Sequence, residues 1–555
     1  MEEIIKSYFT REIINDKVHN DRLSAELNIL KNNDFLWFLK RFIEIFNSDI
    51  KQHLYLLRGS AGSSLLLYYL GINQIDPVKY NITLSRFLNP LASTIPDFDI
   101  DLPMNSRDKI IEQIVTNHKD TVRISCNLNN EDNEYFDNLI KEVPTTNQIH
   151  NSGIVIFAES DRQIIDENRI TPTQIKLTKD DVTRMKLKKI DLLSNTGMEQ
   201  LHKIHNEHTF DYNFDDSQVY DFMLIDDGTG ITYAETSLIQ YVIKILKPKN
   251  IEQLSICMAI VRPFAIENIN KHITFDKLKN CILYDDDLIH MLVNKLNISE
   301  EESDRIRRMF KKNIDTNGMN QVRKSIDELL IDNKEKYMIK KMLSKAKMYG
   351  FCKAHSINYA RLIYMLYYCK YHYPKTFWKS TIMTIKGYYN DWVYIRKGIN
   401  NGLKFKGIQN CDPFIHFIYT GYWLNNDFMT KCYLKVYDIP EQSINITSNK
   451  DEINDCDDTI DNYFIKDKQT TEDVHEIVKL NHECEFRGLI AGTTFGCTKY
   501  KKHQTIISMG YDNNKFIDLY LNKKRDFSKF KQIIGKGYYL DDVNPHIVIT
   551  YMQIF

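Results

Sequence analysis

The sequence LYLLRGSAGSSLLLYYLGINQIDPVKYNITLSRFLNPLASTIPDFDIDL, residues 54–102, contains the two pieces that decide the fold. The first is the Gly/Ser turn RGSAGSS, residues 58–64, which leads into a helix-like apolar run at 65–70. Backbone N–H groups of such a turn, together with the positive end of the following helix, bind phosphate oxygens. The turn therefore indicates a phosphate site, and a purely structural turn before a helix is the alternative.

The second piece is the acidic strand DFDID, residues 97–101. Because side chains alternate along a strand, Asp99 and Asp101 are predicted to share one face, with Asp97 beside them. Neighbouring carboxylates repel each other unless a divalent cation lies between them. A phosphate site followed by paired carboxylates is what metal-assisted nucleotidyl transfer requires, whereas a solvated edge strand is the alternative for the acids alone.

A further carboxylate, Asp191, lies in the apolar run MKLKKIDLL, residues 185–193. An acid in an apolar strand loses its hydration on folding, which is unfavourable unless the acid is paired or bound to a metal. Asp191 is therefore predicted to join Asp99 and Asp101 as a third carboxylate. A strand-end aspartate turned to solvent is the alternative.

Length, charge and cysteine pattern limit the classes of protein to which this chain can belong. The 555 residues suffice for three or four domains, and the net charge of −1 requires any nucleic-acid surface to be local. The ten cysteines include no C-x-x-C pair, which argues against a thiolate zinc site and favours free thiols in a reducing compartment. No apolar leader or bilayer-spanning run is evident, so a cytoplasmic location without a membrane partner is expected.

A series of segments resembles one known family. In chain order they read RGSAGSSLLLYYLGINQIDPVKYN, SRFLNP, PDFDIDL, HNSGIVIF, KIDLL, DDGTGITYAET, SDRIRRMFKK and YGFCKAHSINYARLIYMLYYCKYHYPKTFW. The series is similar to the bacterial replicative DNA polymerase III alpha subunit, the C-family of polymerases. The turn reads RGSAGSSL where the family usually has RGSAAGSL, so Gly62 and Ser63 replace alanine and glycine.

The resemblance implies a multidomain α+β fold. It comprises a polymerase-β-like nucleotidyltransferase palm, with a mixed sheet and helices, and α-helical fingers. The family's catalytic, metal-binding aspartates correspond to Asp99, Asp101 and Asp191, which would hold two Mg²⁺ ions, with Mn²⁺ as an option. The family's nucleotide-binding residues correspond to Arg58, Gly59, Ser60, Lys189, Arg262, Arg307, Arg308, Lys353 and His355.

The C-terminal part changes to a strand pattern. Five short strands, with a helix predicted over FSKFKQIIG (527–535) after the third, are typical of an all-β OB-fold. Lys499, Tyr500, Lys501 and Lys502 offer basic and aromatic contacts for a single-stranded template, and a solvated basic face is the alternative. The acidic, polar stretch 450–475 indicates a linker.

Apolar residues at helical spacing predict two buried helix faces. They are Leu23, Leu27, Leu30, Phe35, Leu36, Phe38, Leu39, Phe42 and Ile43 in the first segment, and Ile110, Ile111, Ile114 and Val115 after the acidic strand. Asn105 or Ser106 is the predicted N-cap of the second helix.

These observations predict a domain order. It runs 1–53 helical lead-in, 54–228 palm with a strongly reduced thumb insert at about 102–150, 229–384 fingers, 385–478 connector with acidic linker, and 479–555 OB-fold. The family's PHP domain is expected to be absent.

The expected function is that of a DNA-directed DNA polymerase. It would extend the primer 3′ end of primer–template DNA with dNTPs, with low processivity and no proofreading. A processivity or replisome partner, association with the nucleoid, and a phage, virus or mobile-element origin fit this layout. The alternatives are a template-independent nucleotidyltransferase and a catalytically silent, polymerase-derived DNA-binding protein.

Overall fold

The computed structural model describes residues 2–33, 35–91, 98–126, 148–279, 281–313, 315–384, 387–389 and 391–403, and five strands within 483–554. The helices are α1 (Glu2–Lys6), α2 (Lys17–Asn32), α3 (Leu36–Ile45), α4 (Leu65–Tyr69), α5 (Met104–Asn117), α6 (Arg162–Glu167), α7 (Lys179–Arg184), α8 (Thr196–His205), α9 (Ser217–Ile225), α10 (Ser237–Leu246), α11 (Ile251–Ile260), α12 (Phe275–Leu278), α13 (Asp287–Leu296), α14 (Glu300–Lys312), α15 (Thr316–Asp327), α16 (Asn333–Lys345), α17 (Lys353–His372), α18 (Pro374–Thr384) and α19 (Asp391–Asn400). The strands are β1 (Leu56–Arg58), β2 (Phe98–Pro103), β3 (Thr121–Cys126), β4 (Gln148–Ile156), β5 (Arg169–Thr171), β6 (Gln174–Ile175), β7 (Lys188–Asn195), β8 (Glu483–Cys497), β9 (His503–Tyr511), β10 (Lys515–Leu521), β11 (Gln532–Leu540) and β12 (His546–Ile554).

The chain divides into two compact units. Unit 1 comprises Met1–His202, Pro248–Asn268 and Thr274–Leu362, and unit 2 comprises Lys203–Lys247, Ile269–Ile273 and Ile363–Phe555. Unit 1 therefore combines most of the predicted palm with much of the predicted fingers. The predicted boundaries at 228 and 384 stay predictions.

Unit 1 is built on a mixed seven-stranded sheet in the order β1-β2-β7-β4-β3-β6-β5. The acidic strand β2 lies between β1, its antiparallel neighbour, and β7, its parallel neighbour. A parallel pair needs a long crossover connection, which the chain between β2 and β7 supplies. The two strands that carry the predicted carboxylates are thus hydrogen-bonded neighbours.

Successive side chains of β2 alternate between the apolar core and the face that carries the candidate site. Phe98, Ile100 and Leu102 are buried in the main apolar core of unit 1, where Phe98 packs edge-on against Phe38 and Phe87. The intervening positions, 99 and 101, project to the opposite face. The core thereby fixes the face on which the aspartates lie.

The helices behind this strand follow the predicted apolar stripes. In α5 the buried side chains are Ile110, Ile111, Ile114 and Val115, as its spacing predicts. The predicted cap at Asn105 or Ser106 is wrong, because α5 begins directly after Pro103 and has no side-chain cap. Helices α2 and α3 bury seven members of the predicted stripe, Leu23, Leu27, Leu30, Phe38, Leu39, Phe42 and Ile43, whereas Phe35 and Leu36 are only partly buried.

Unit 2 contains helices with a buried ionic centre. The Lys370 ammonium donates to Asp226 at 2.7 Å and to the Thr229 carbonyl at 2.8 Å. Glu235 is almost fully buried and accepts from the backbone N–H groups of Gly230 and Tyr388. Burial raises the pKa of Glu235, although these two hydrogen bonds oppose the effect.

The C-terminal strands of unit 2 form a closed five-stranded barrel in the order β10-β12-β11-β8-β9. The five predicted strands are confirmed, and the barrel fits an OB-fold. The predicted helix at 527–535 is wrong in its last four residues, because β11 begins at Gln532. Residues 527–531 lie outside the described residues, as do most of the connector at 385–478 and much of the thumb insert.

No helix in the described ranges is long and apolar enough to cross a bilayer.

Candidate active site

The register of three strands brings the predicted acidic residues together. Asp99 pairs with Arg58 across β1 and with Asp191 across β7. Residues at paired positions project to the same face of a sheet, as do residues two apart on one strand. Asp99, Asp101 and Asp191 therefore share one face with Arg58, although Asp191 is far from the other two in sequence.

All three carboxylates lie beside basic side chains. The Lys189 ammonium contacts the Asp191 carboxylate, and both groups are nearly buried. The Arg58 guanidinium lies 3.7 Å from Asp99 Oδ2 and 3.7 Å from Asp101 Oδ1. These cations compensate part of the negative charge that the sheet register concentrates on this face.

Asp101 is held in one orientation. Its Oδ2 accepts hydrogen bonds from the Tyr359 hydroxyl at 2.8 Å and from Asn195 Nδ2 at 2.7 Å. Its Oδ1 is buried and accepts no hydrogen bond from any residue that the structure describes. Burial raises the pKa of Asp101, although Arg58 and the two hydrogen bonds oppose this rise. The carboxylate thus presents one buried oxygen whose lone pairs are not used by a hydrogen-bond donor.

The Gly/Ser turn lies directly beside the carboxylates. Gly59 adopts a left-handed conformation with φ +67°, and a Cβ there would lie 3.3 Å from Asp99 Oδ2. Its N–H donates to His355 Nδ1 at 3.1 Å. Ser60 follows in the same 3₁₀ turn, Gly59–Ser63, and is half-buried. Glycine is required here because only it combines this backbone conformation with so close a carboxylate.

The helix that follows the turn already has an anion at its N-terminus. Fully buried Glu26 accepts hydrogen bonds from Ser64 Oγ at 2.7 Å and from the N–H groups of Leu65 and Leu66 at 2.8 and 3.0 Å. Arg22 donates to Glu26 at 3.0 Å and holds it from the other side. The predicted use of this helix N-terminus for phosphate is therefore wrong, and the prediction of a phosphate site rests on the 3₁₀ turn alone.

His355 is a neutral acceptor. Burial, together with the nearby positive charges of Arg58 and Arg262, lowers its pKa to about 3. Its Nδ1 can therefore accept from Gly59 at neutral pH. The family resemblance groups His355 with basic, phosphate-binding residues, but in this structure the ring carries no charge and supports the turn.

The predicted arginines of the fingers form a buried charge network. Arg307 donates to Asp304 at 2.7 and 2.9 Å and lies 3.3 Å from Asp285. Arg308 donates to the same Asp304 at 2.5 Å. Asp285 also contacts Arg86 and Lys311. Burial opposes the charge of Asp285, but these three cations hold its pKa well below the ordinary value.

The two remaining predicted residues are Arg262 and Lys353. The Arg262 guanidinium stacks 4.1 Å over the ring of Phe351, which in turn packs 4.6 Å from His355. Lys353 forms an ion pair with Glu252 at 3.2 Å. The Phe351 carbonyl accepts from the N–H of Asp285, which links this centre to the arginine network.

Several site residues escaped the sequence analysis. Tyr359 lies one helical turn after His355, so the i, i+4 spacing on α17 was an available signal. Glu26 interrupts the apolar stripe of α2 and so could have been suspected of a buried partner. Asn195, Asp285 and Asp304 had no sequence signal, since only the tertiary contacts give them partners.

Some predictions fall outside these observations. Asp97 and the basic–aromatic segment Lys499, Tyr500, Lys501 and Lys502 lie outside the described residues. Within the described parts of the chain, no three His, Cys, Asp or Glu side chains lie close enough together to hold a metal ion. The sheet aligns the three carboxylates on one face without bringing their oxygens to a single point.

An acidic sheet face beside a Gly/Ser turn, with arginines from a helical region around it, is the arrangement of a nucleotidyltransferase palm with its fingers. Comparison with known families agrees. Residues 1–129 match the bacterial DNA polymerase III alpha NTPase domain, and residues 171–334 match the bacterial DNA polymerase III alpha subunit finger domain. The chain belongs to the C-family of DNA polymerases, the family of the bacterial DNA polymerase III alpha subunit.

Curated relatives point the same way. The DNA polymerase III subunit alpha of Staphylococcus epidermidis is 25% identical over 476 residues, covering 67% of this chain and 44% of the relative. The protein of the same name from Staphylococcus aureus is 25% identical over 429 residues, covering 60% of this chain and 39% of the relative. The chain thus spans less than half the length of these relatives.

Proposed function

We propose that this chain is a DNA-directed DNA polymerase that adds deoxynucleotides to a primer 3′ end and releases pyrophosphate. The observation that carries the proposal is the register that sets Asp99 opposite Asp191, with Asp101 on the same face and the Gly59 turn beside them. Membership of the polymerase family supports the same activity. The chain spans less than half the length of these relatives, so we infer the polymerase activity from the arrangement of its own residues.

The chemistry of the three carboxylates suits two Mg²⁺ ions, with Mn²⁺ as a substitute, although their oxygens do not converge on one point in this structure. Asp99, Asp101 and Asp191 supply hard carboxylate oxygens, which Mg²⁺ prefers. The buried Oδ1 of Asp101 has lone pairs that no described hydrogen-bond donor uses, which supports a role as ligand. When bound, such ions favour deprotonation of the primer hydroxyl and offset charge on the phosphates.

The basic residues would receive the triphosphate. Arg58, Gly59 and Ser60 flank the carboxylates, so the turn can donate to phosphate oxygens while Arg58 offsets their charge. Arg262, Arg307, Arg308 and Lys353 would contact the same nucleotide from the fingers. Since Arg307 and Arg308 are paired with Asp304, an incoming triphosphate would compete with that aspartate for them.

The finer properties of the enzyme follow from its layout. Primer–template DNA and dNTPs are the proposed partners, with a single-stranded template bound by an OB-fold through Lys499, Tyr500, Lys501 and Lys502. A small thumb would grip the duplex weakly, so we expect low processivity without a processivity or replisome partner, and no proofreading. A nucleoid-associated role, in a phage, virus or mobile element, is part of the same proposal.

The test is primer extension on a primed single-stranded template with Mg²⁺. We expect extension by the full chain and a loss of roughly a hundredfold or more in Asp99→Asn, Asp101→Asn and Asp191→Asn, comparable to losing a preorganised electrostatic contact. Asp108→Asn is the matched control, because Asp108 is an exposed acid of α5 in the same unit.

Other outcomes would point elsewhere. Addition to a bare 3′ end without template would replace the proposal with a template-independent nucleotidyltransferase. DNA binding without any extension would indicate a catalytically silent DNA-binding protein. Unchanged activity in the three asparagine variants would show that these aspartates are not the catalytic ligands.

A further inference from the structure

One face of helix α16 combines exposed aromatic and apolar side chains with lysines. Tyr337 is 67% exposed, Met338 51% and, just after the helix, Tyr349 57%, while Ile339 and Leu343 on the opposite face are buried. Lys334 and Lys341 are exposed at helical spacing from Tyr337 and Met338, and Lys347 and Met348 are exposed directly after the helix. We call Lys334, Tyr337, Met338, Lys341, Lys347, Met348 and Tyr349 the basic face.

The charge of this segment differs from that of the whole chain. Residues 333–349 contain six lysines and one glutamate, whereas the chain has 73 basic and 74 acidic residues. Lys341 lies 3.6 Å from Glu267, but Lys334 and Lys347 form no ion pair with any residue that the structure describes. The basic face is therefore a local positive surface on a nearly neutral protein.

A continuous row of rings joins this face to the candidate active site within unit 1. Tyr349 packs edge-on against Phe351 at 5.9 Å, and Phe351 lies 4.6 Å from His355. His355 lies 4.3 Å from Tyr359, whose hydroxyl donates to Asp101. Tyr349, at one end of the basic face, is thus connected to Asp101 through the rings of Phe351, His355 and Tyr359.

We propose that the basic face binds the single-stranded template next to the active site, with lysines on its phosphates and Tyr337 and Tyr349 against its bases. Exposed tyrosines interleaved with lysines suit a single strand, because every base has a face that stacks and every link carries a negative charge. A protein partner fits less well, since lysine is depleted in the cores of protein interfaces.

This assignment rests on the proposed polymerase function but adds to it. The match to the family's finger domain ends at residue 334, so all of the basic face except Lys334 lies beyond it. Its residues also differ from the predicted template contacts at Lys499, Tyr500, Lys501 and Lys502.

The charge contribution is tested by fluorescence anisotropy with a labelled dT20 oligonucleotide and the full chain. Lys334→Ala/Lys341→Ala/Lys347→Ala should reduce the slope of log affinity against log salt by about 2, at about 0.7 per lost phosphate contact. The matched control, Lys17→Ala/Lys31→Ala/Lys51→Ala, removes three exposed lysines of the N-terminal helical region and should leave the slope unchanged.

The stacking contribution is tested with the tyrosines. Tyr337→Ala/Tyr349→Ala should weaken binding of the oligonucleotide at least roughly fivefold, since one stacked base is worth about that factor or more. Tyr337→Phe/Tyr349→Phe keeps both rings and should bind like the parent chain. Tyr371→Ala, at an exposed tyrosine elsewhere, is the control.

The outcomes separate this inference from the proposed function. If the parent chain extends primers while the lysine and alanine variants bind dT20 with unchanged affinity and slope, the basic face is not a template site and the polymerase proposal stands. If the parent chain does not extend primers, the polymerase proposal fails. Weaker binding by the phenylalanine pair would also overturn the stacking role.

Discussion

At the scale of single residues, the candidate site depends on how Asp101 is oriented. Tyr359 and Asn195 both donate to the same carboxylate oxygen, which leaves the other oxygen for a different partner. Asn195 is itself fixed, because its Oδ1 accepts from the N–H groups of Gly197 and Met198 at the start of α8. Tyr359 and Asn195 therefore act as positioning residues for Asp101.

Removing the Tyr359 hydroxyl tests this orientation. Tyr359→Phe keeps the ring between His355 and Phe351 but loses a hydrogen bond to a charged group, worth about 1.5–3 kcal/mol. In the proposed extension reaction we expect kcat to fall roughly tenfold to a hundredfold, with little change in KM for the nucleotide. Steady-state kinetics on a primed template measures both constants.

A second tyrosine of the same helix provides the control. The Tyr364 hydroxyl donates to the Asn213 carbonyl at 2.6 Å, so Tyr364→Phe also removes a hydrogen bond but not one to Asp101. A similar kcat loss in both variants would mean that Tyr359 acts through general stability and not through Asp101.

The left-handed conformation of Gly59 leads to another prediction. Gly59→Ala should destabilise unit 1 by about 1–2 kcal/mol, the cost of a left-handed residue with a Cβ. It should also lower the extension rate, because the new Cβ would press on Asp99. Thermal unfolding and primer extension measure the two effects.

The variant Gly402→Ala is the control that separates backbone strain from a contact with Asp99. It has φ +83°, but its nearest side-chain neighbour would be Lys375 at 3.4 Å. Gly402→Ala should therefore show comparable strain and normal extension. An equal loss of activity in both variants would contradict a specific effect on Asp99.

At the scale of elements, α2 supports the Gly/Ser turn with side chains of two kinds. Glu26 occupies the N-terminus of α4, and Arg22 donates to the Ser63 carbonyl at 2.6 Å. His19 at the start of α2 lies between Asp16 at 2.8 Å and Asp76 at 3.1 Å. A helix outside the sheet thus holds the Gly/Ser turn in place.

His19 should make the stability of unit 1 depend on pH. Burial disfavours its charged form, but hydrogen bonds to Asp76 and Asp16 outweigh this and raise its pKa above the ordinary value. The protonated ring therefore contributes stability below that ordinary value, and the contribution is lost as pH rises through the folded-state pKa. Thermal melting between pH 5.5 and about 8.5 should show a decline for the parent chain that is smaller in His19→Gln. An identical pH profile in the two proteins would rule out this linkage.

At the scale of the whole molecule, each compact unit has its own buried ionic centre. Glu26 with Arg22 lies in unit 1, and Lys370 with Asp226 lies in unit 2. Removing one partner of a buried pair leaves an uncompensated charge, which typically costs about 3–5 kcal/mol. The two units should therefore respond to different substitutions.

Calorimetry tests this division. A chain with two compact units is expected to unfold in more than one transition. Glu26→Ala should lower the transition of unit 1 and Lys370→Ala that of unit 2, each by about 3–5 kcal/mol in unfolding free energy. A single transition shifted equally by both variants would show that the units unfold together.

Much of the fold could be predicted from the sequence because the spacing of apolar residues within a segment indicates whether it forms a helix or a strand. The stripe of α5 and the alternation of Phe98, Asp99, Ile100 and Asp101 are periodicities that each segment shows by itself. The helix predicted at 527–535 is wrong over residues 532–535, because no such pattern separates a short helix from a strand there. The cap of α5 failed because Pro103 already begins the helix geometry without a side-chain cap.

The sequence by itself determined the chemistry that the chain can offer: three aspartates, a Gly/Ser turn and a set of basic residues. The tertiary structure alone decided their partners. It placed Asp191 opposite Asp99 and brought Glu26 to the N-terminus of α4. It also buried His355 as a neutral hydrogen-bond acceptor. The physical reason is that strand register, burial and ion pairing join residues distant in the chain, and no local pattern encodes those distances.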